Sequence, residues 1–206
     1  MPDDHEGDPV TSHRPPGPTG RAPVLFTGRM SFEPMPTRLV TDRFTLTPQE
    51  HGDADWLAAL FTARGRGEVS VDEALERIAR MHALTAEHGI GALVLRPRDG
   101  GPPVGYAAVV VGRGTVEEPE LAYELLPEAH GRGYATEAAR AVLDAAHATG
   151  RRRVWASVRP WNAASIRVAE KLGFRRDHVT ADDDGDIVWF LHEVPDGPAG
   201  VAPDRG

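Results

Sequence analysis

The sequence predicts an α+β fold, and two observations carry that reading. Between Ile90 and Leu126 three strand-like runs follow one another across short turns, the pattern of an antiparallel meander. From Tyr134 onward the pattern changes to helix, strand, helix and a closing strand pair.

The elements follow in order. Arg43–Thr47 (RFTLT) alternates apolar and polar side chains as a short strand does, and Pro48 ends it. Asp53 then precedes a helix whose apolar positions are Trp56, Leu57, Leu60 and Phe61, with Asp53 as the N-cap. Arg64–Gly67 (RGRG) is a loop. Ser70 and Glu73 form a capping box that opens a second helix through Val71, Ala74, Leu75, Ile78 and Met81, fading near His88-Gly89. Ile90–Leu95, Val104–Val111 and Glu118–Leu126 are the meander strands, with Pro97–Pro103 as the first turn and Pro127 closing the last strand. Tyr134–Thr149 is an alanine-rich helix burying Ala138, Ala141, Val142, Ala145 and Ala146. Arg151–Arg153 follows it and suits its negative pole. Arg153–Val158 is a strand, Asn162–Leu172 a helix stopped by Gly173, and Phe174–His178 and Ile187–His192 a final strand pair around the acidic turn Asp182–Asp186.

Composition bounds the rest. Of 18 prolines in 206 residues, eleven fall in Met1–Pro36 and Pro195–Gly206. Those segments bury too little apolar surface to offset the entropy of ordering, so they read as a disordered leader and tail around a body at residues 37–194. There is no cysteine, which excludes disulfides, thiolate metal sites and cysteine nucleophiles and fits a reducing, cytoplasmic setting. The net charge is −8, and the body carries 19 basic against 24 acidic residues, so the footprint of a nucleic-acid binder is missing. The longest apolar run, Tyr106–Val111, is far too short to span a membrane, and the N-terminus is not a secretory signal. No histidine pair has helical metal-site spacing and the acidic turn lacks the calcium-loop pattern, so no metal is expected.

The chemically informative stretch is Pro127–Ala138 (PEAHGRGYATEA), where a strand ends, a glycine-bearing loop follows and a helix begins. The first amides of a helix have no internal partners and sit at its positive pole, and glycines at 131 and 133 allow a ligand close to the backbone. Together these make an anion site, most naturally for phosphate, to which Arg132 adds a charge. A dinucleotide fingerprint needs Gly or Ala where Thr136 stands and an acidic residue where Arg152 and Arg153 stand. A P-loop is excluded because no Gly-Lys-Ser/Thr follows. On the residues alone, a phosphate cradle and an ordinary helix cap both stand.

The wider context adds a resemblance. ELAYELLPEAHGRGYATEAARAVLDAA from Glu120, RPWNAASIRVAEKLGF after the next strand, and the opening TRLVTDRFTLTPQEHGDADWLAALF together resemble the GNAT acyltransferase superfamily. The closest branch is that of the ribosomal-protein N-acetyltransferases (RimJ/RimL-type), and the resemblance spans about Thr37–Val194.

That resemblance implies a mixed, twisted central sheet flanked by helices, and an acetyl-CoA cosubstrate without a metal. The strand ending Tyr123–Leu126 would splay from Arg153–Val158. The pantetheine arm would pair with the backbone of Leu125 and Leu126, and the pyrophosphate would sit on the amides of His130, Gly131, Arg132, Gly133, Tyr134 and Ala135. Acetyl would pass directly to a primary amine, of a protein N-terminus or a small molecule. Glu120 matches the strand glutamate that takes the amine proton, and Glu124 points to the same face. Asn162 and Ser165 match the N-x-x-S of the second cofactor helix, with Asn162 contacting the pantetheine arm and Ser165 orienting the sulfur. A tyrosine common in the superfamily is replaced by Ala169, so the tyrosine-acid route is closed. The acceptor pocket would be built from the two early helices, the RGRG loop and the last strand pair. A non-catalytic acyl-CoA-binding module is the alternative function, and a leader that recruits a partner is a third. Relatives are often homodimers, but nothing in the sequence decides the oligomeric state.

Overall fold

The computed structural model describes residues 32–194 apart from Arg66. The expected disordered ends, 1–31 and 195–206, lie outside the described residues. Phe32–Pro36, which composition assigns to the leader, pack on the body: Met35 is buried, its amide donates to the Gly89 carbonyl (2.8 Å), and Phe32 lies under the Arg151 guanidinium.

Among the described residues eight strands and four α-helices occur in the order β1 (Leu39–Val40), β2 (Phe44–Pro48), α1 (Ala54–Thr62), α2 (Val71–His88), β3 (Ala92–Pro97), β4 (Gly105–Val110), β5 (Glu120–Leu125), α3 (Tyr134–Ala148), β6 (Arg153–Val158), α4 (Ala163–Leu172), β7 (Arg175–Asp182) and β8 (Gly185–Glu193). They form one sheet with the order β1-β2-β3-β4-β5-β6-β8-β7. Every neighbouring pair is antiparallel except β5 and β6, which are parallel and register at a single point, Glu120 opposite Trp155.

The core lies in two layers. The larger is between the sheet and α3 with α4, where Val142, Leu143 and Ala146 are fully buried against Val109, Leu121 and Val154. The smaller joins Leu57, Leu60 and Phe61 of α1 to Ala74 and Ile78 of α2, with Tyr106 and Leu126 from the sheet side. Each fully buried aliphatic side chain contributes roughly 1.5–3 kcal/mol relative to exposure.

Most predicted elements appear within a residue or two. The Ser70–Glu73 capping box forms, α2 ends on Gly89 in the left-handed conformation, and Asn162 caps α4 by accepting from the Ser165 amide (3.1 Å). Three readings change. The two-residue strand β1 is absent from the sequence prediction, because two residues show no alternation. The acidic turn tightens: β7 runs on to Asp182 and pairs with Gly185, leaving Asp183 and Asp184 between the strands. Asp53 does not cap α1 with its side chain. Its carboxylate accepts from the Glu50 amide (2.7 Å), Trp56 Nε1 (2.9 Å) and both ends of the Arg96 guanidinium (3.0 and 2.7 Å). Burial alone would raise the Asp53 pKa, but these bonds outweigh it and hold the carboxyl below its ordinary range.

Candidate functional site

The site begins where the one parallel pair of the sheet loses its ladder. Beyond the Glu120–Trp155 register, β5 and β6 part, which opens a slot toward the C-terminal end of β5. The slot leads into a cleft of about 460 Å³ lined by Tyr123, Glu124 and Leu125 of β5, the loop after it, the first turn of α3, and Asn162, Ser165 and Val168 on the α4 side. A second cavity of about 490 Å³, between α2 and the start of β3, is almost wholly apolar, and its one imidazole, His82, is bonded to the Gln49 carbonyl (2.6 Å). Convergent polar groups mark the first cavity as the functional candidate.

The row of open amides expected after β5 forms in modified membership. Gly131 and Gly133 have φ of +74° and +76°, a conformation that glycine reaches without the penalty of a Cβ. Among the described residues, the amides of Gly131, Arg132, Gly133, Tyr134, Ala135 and Thr136 have no acceptor; the first helical bond runs from Glu137 to the Gly133 carbonyl. The His130 amide drops out of the predicted set, because it donates to the Pro127 carbonyl (3.1 Å). Thr136, absent from that set, joins it and lines the cleft.

The loop is braced from behind by Arg43 of β2. Its Nη1 donates to the Arg132 carbonyl (2.9 Å), its Nε and amide to Glu137 (2.5 and 2.9 Å), and its guanidinium stacks on Tyr134. Burial would raise the Glu137 pKa, but bonds from Thr41 and Arg43 bring it below its ordinary value. The one carboxylate in the first turn of α3 is thereby neutralised, leaving the positive helix end to a ligand.

The β5 edge is less open than predicted. The Leu126 amide is committed to the Val104 carbonyl (2.9 Å) and its own carbonyl accepts from Ala129 (2.9 Å), so Leu126 cannot donate to a pantetheine arm. The Leu125 carbonyl accepts from His130 Nε2 (2.9 Å). His130 therefore meets the slot edge of β5 with its ring, while its amide is used within the loop.

Across the slot, Asn162 Oδ1 holds the Ser165 amide, and the Ser165 carbonyl accepts from the Tyr123 hydroxyl (3.3 Å). Burial raises the Tyr123 pKa, so the phenol stays protonated at neutral pH. Sequence reasoning missed Tyr123. Strand parity places it opposite Glu124, but only the fold shows its hydroxyl reaching α4.

The two glutamates of β5 separate. Glu120 does not line the cleft: it is 7% exposed, and its carboxylate accepts from Ser157 Oγ (2.8 Å) and from the Arg113 amide. It sits at the pinched end of the slot and ties β5, β6 and the loop after β4 together. Glu124 sits at the open end, on the cleft wall. Arg64, from the RGRG loop, bonds both oxygens of Glu124, with Nε at 2.8 Å from Oε1, and Tyr106 Oη donates to Oε2 (3.2 Å). The Glu124 bond raises the Arg64 pKa above its ordinary value. Burial, then the charge of Glu124, pushes the Tyr106 hydroxyl up to about 12. With side chains 38% and 23% exposed, the Arg64–Glu124 pair contributes only about 0–1 kcal/mol.

Comparison with known proteins decides what this cleft belongs to. Residues 43–175 match the model of the acetyltransferase (GNAT) domain, about two thirds of the chain. The chain belongs to the GNAT acetyltransferase family. One GNAT relative, the probable N-acetyltransferase YjcK of Bacillus subtilis (strain 168), is 36% identical over 86 residues, which cover 40% of this chain and 46% of that protein; the match thus spans less than half of the relative. The crystal structure of the acetyltransferase from Agrobacterium tumefaciens str. C58 superposes with a TM-score of 0.63 at 26% identity, covering 81% of this chain and 100% of that one. RimL, a ribosomal L7/L12 alpha-N-protein acetyltransferase in complex with coenzyme A, superposes with a TM-score of 0.66 at 14% identity, covering 76% and 97%. The eight-stranded mixed sheet with its splayed parallel pair is the GNAT fold. In this GNAT chain, Ala169 is buried in the core, so α4 offers the cleft no phenol there. Among the described residues no three His, Asp or Glu side chains gather as metal ligands, and no helix is long and apolar enough to cross a membrane.

Proposed function

We propose that the chain transfers the acetyl group of acetyl-CoA directly to a primary amine, on a protein N-terminus or a small molecule. One observation supports this most: among the described residues the amides of 131–136 at the head of α3 are unpaired, and all of these residues but Arg132 line the same cleft as the parted edge of β5. The amides of residues 131–136 would hold the pyrophosphate. The pantetheine arm would lie in the slot against Leu125, with the His130 ring turned aside, and against Asn162. Ser165 Oγ, which has no partner among the described hydrogen bonds, would orient the sulfur. The ammonium first loses one proton to solvent; the free amine nitrogen then attacks the thioester carbonyl carbon, the C–S bond breaks, and the thiolate takes up a proton. Meanwhile a second proton leaves the nitrogen to solvent through the open cleft. Absence of cysteine agrees with a reducing, cytoplasmic setting and with a reaction whose only sulfur arrives on the cosubstrate.

Acetyl-CoA at millimolar concentration is expected to raise the melting temperature by several degrees, and an amine panel to release free CoA. No thermal shift would overturn the reading; a shift without turnover on any amine would support the non-catalytic acyl-CoA-binding alternative.

The base role implied for Glu120 has its own test. Because Glu120 is buried and held by two donors, Glu120→Gln is expected to keep kcat within about threefold and leave the pH–rate profile in place. A hundredfold fall in kcat with loss of the acidic limb would return Glu120 to the mechanism.

A further inference from the structure

The cleft holds one charged pair that the transfer reaction does not use, Arg64 with Glu124. Two features set this pair apart from a structural salt bridge. First, its members are held unequally. Glu124 is fixed on β5, and the buried Tyr106 hydroxyl, from the neighbouring strand, orients its Oε2. Arg64 lies beyond the end of α1, just before Gly65 at φ +72° and two residues beyond the last helical residue, with its side chain more open than that of Glu124. Its guanidinium rests on the Phe61 ring (4.3 Å), a flat support that does not fix its direction, and beyond Glu124 its one further bond is a long one from Nη2 to the Tyr106 hydroxyl (3.3 Å). Second, Glu124 directly precedes Leu125, the residue whose carbonyl faces the slot, so its carboxylate stands beside the path a thioester would take.

Resting on the acetyltransferase reading, we infer that Glu124 is the counter-ion of the acceptor's ammonium group and that Arg64 is a displaceable cation holding its place. An incoming ammonium takes over the oxygens now bonded by Arg64, while Tyr106 keeps its bond to Oε2. One cation replaces another on the same carboxylate, so the half-buried Glu124 is never left without a partner. The acceptor class this selects is cationic amines: a protein N-terminus with its α-ammonium, or an aliphatic amine or polyamine. Neutral amide or hydroxyl acceptors gain nothing from Glu124 and do not dislodge Arg64. Glu124 is in this account a specificity residue that binds the acceptor; the acetyl transfer itself is unchanged.

The test uses the full chain, with spermidine, propylamine and Ser- and Ala-initiated pentapeptides as probes. CoA release gives kcat and KM, and calorimetry gives binding of each probe to the CoA-loaded protein. For the best probe, Glu124→Gln is expected to raise KM and Kd at least tenfold, with acetyl-CoA affinity within twofold of wild type and a smaller change in kcat. Glu124→Asp should recover part of the loss. Arg64→Ala is expected to lower KM two- to fivefold, because the competing cation is gone. A merely structural pair would make both variants lose binding together, and that result overturns the inference. So does a Glu124→Gln enzyme that binds every probe as wild type does, or a wild type that takes up acetyl-CoA but none of the amines. A wild type that does not take up acetyl-CoA overturns the acetyltransferase reading, and this assignment with it.

Discussion

Gly133→Val is expected to raise the acetyl-CoA dissociation constant ten- to hundredfold while lowering the melting temperature by no more than about 8 °C. The reason is conformational. A Cβ at position 133 would come no nearer than 3.7 Å to its closest neighbour, Arg43 Nη2, so the pocket has room for it. What it lacks is the right backbone: φ is +76°, where an L-residue costs about 1–2 kcal/mol and a β-branched one more. The loop either keeps that strain or rotates the peptide, and rotation turns the amides of Gly133 and Tyr134 away from the phosphate. Stability moves little, since about 1–2 kcal/mol corresponds to only a few degrees in a domain of this size. Calorimetry with acetyl-CoA and a melting curve separate the two effects. Unchanged affinity would remove the loop amides from the cofactor site.

Arg151→Met is expected to do the opposite, lowering the melting temperature by roughly 6–12 °C with acetyl-CoA affinity intact. Arg151 is the largest fully buried side chain, at 1% exposure. Its Nε donates to the Val116 carbonyl (2.8 Å), Nη1 to Thr149 Oγ1 (2.8 Å) and Nη2 to the His88 carbonyl (2.9 Å). Desolvation lowers its pKa below the ordinary guanidinium value, which shows what burial costs the charge. Methionine fills similar volume but leaves three oxygens, one buried and two half-buried, without these donors, at up to about 1–3 kcal/mol each, partly offset by sparing a buried cation. A net loss of about 3 kcal/mol gives the stated shift. An unchanged melting temperature would mean that burying the guanidinium costs as much as its bonds contribute.

Arg151 also marks where the sequence stopped being informative. Its position after α3 suggests service to the negative pole of that helix. The structure has it satisfy the terminal carbonyl of α2, 63 residues away, and no local pattern encodes a partner at that separation. The same division runs through the site. The cradle was legible because glycine spacing before an amphipathic helix dictates backbone geometry directly. Its membership shifted by one residue, because the His130 amide closes a local turn whose extent composition does not show. Glu120 and Glu124 were legible as residues of one strand face, since parity is exact to the residue. Depth along the slot was not, because it depends on where two strands distant in sequence begin to part. Arg64 was visible only as part of a polar loop, and its partner on β5 lies 60 residues away. Asp53 reads as a cap by type, but a half-buried arginine from β3 outcompetes that role.

The single register point between β5 and β6 has a mechanical consequence. On one side stand five strands, β1 to β5, and on the other three, β6, β8 and β7. Past Glu120 the two leaves share no ladder, so bending stiffness across the seam falls to α3 and α4, which pack over it from the same side. The buried Glu120 carboxylate, bonded to Ser157 on one leaf and to the loop of the other, then works as a rivet at the closed end of a hinge. A ligand pairing with both edges would complete the ladder and convert two leaves into one plate. The unliganded protein should therefore be most compliant along this line, where the inner strand edges join the outer edges of β1 and β7 as places for a foreign chain to pair.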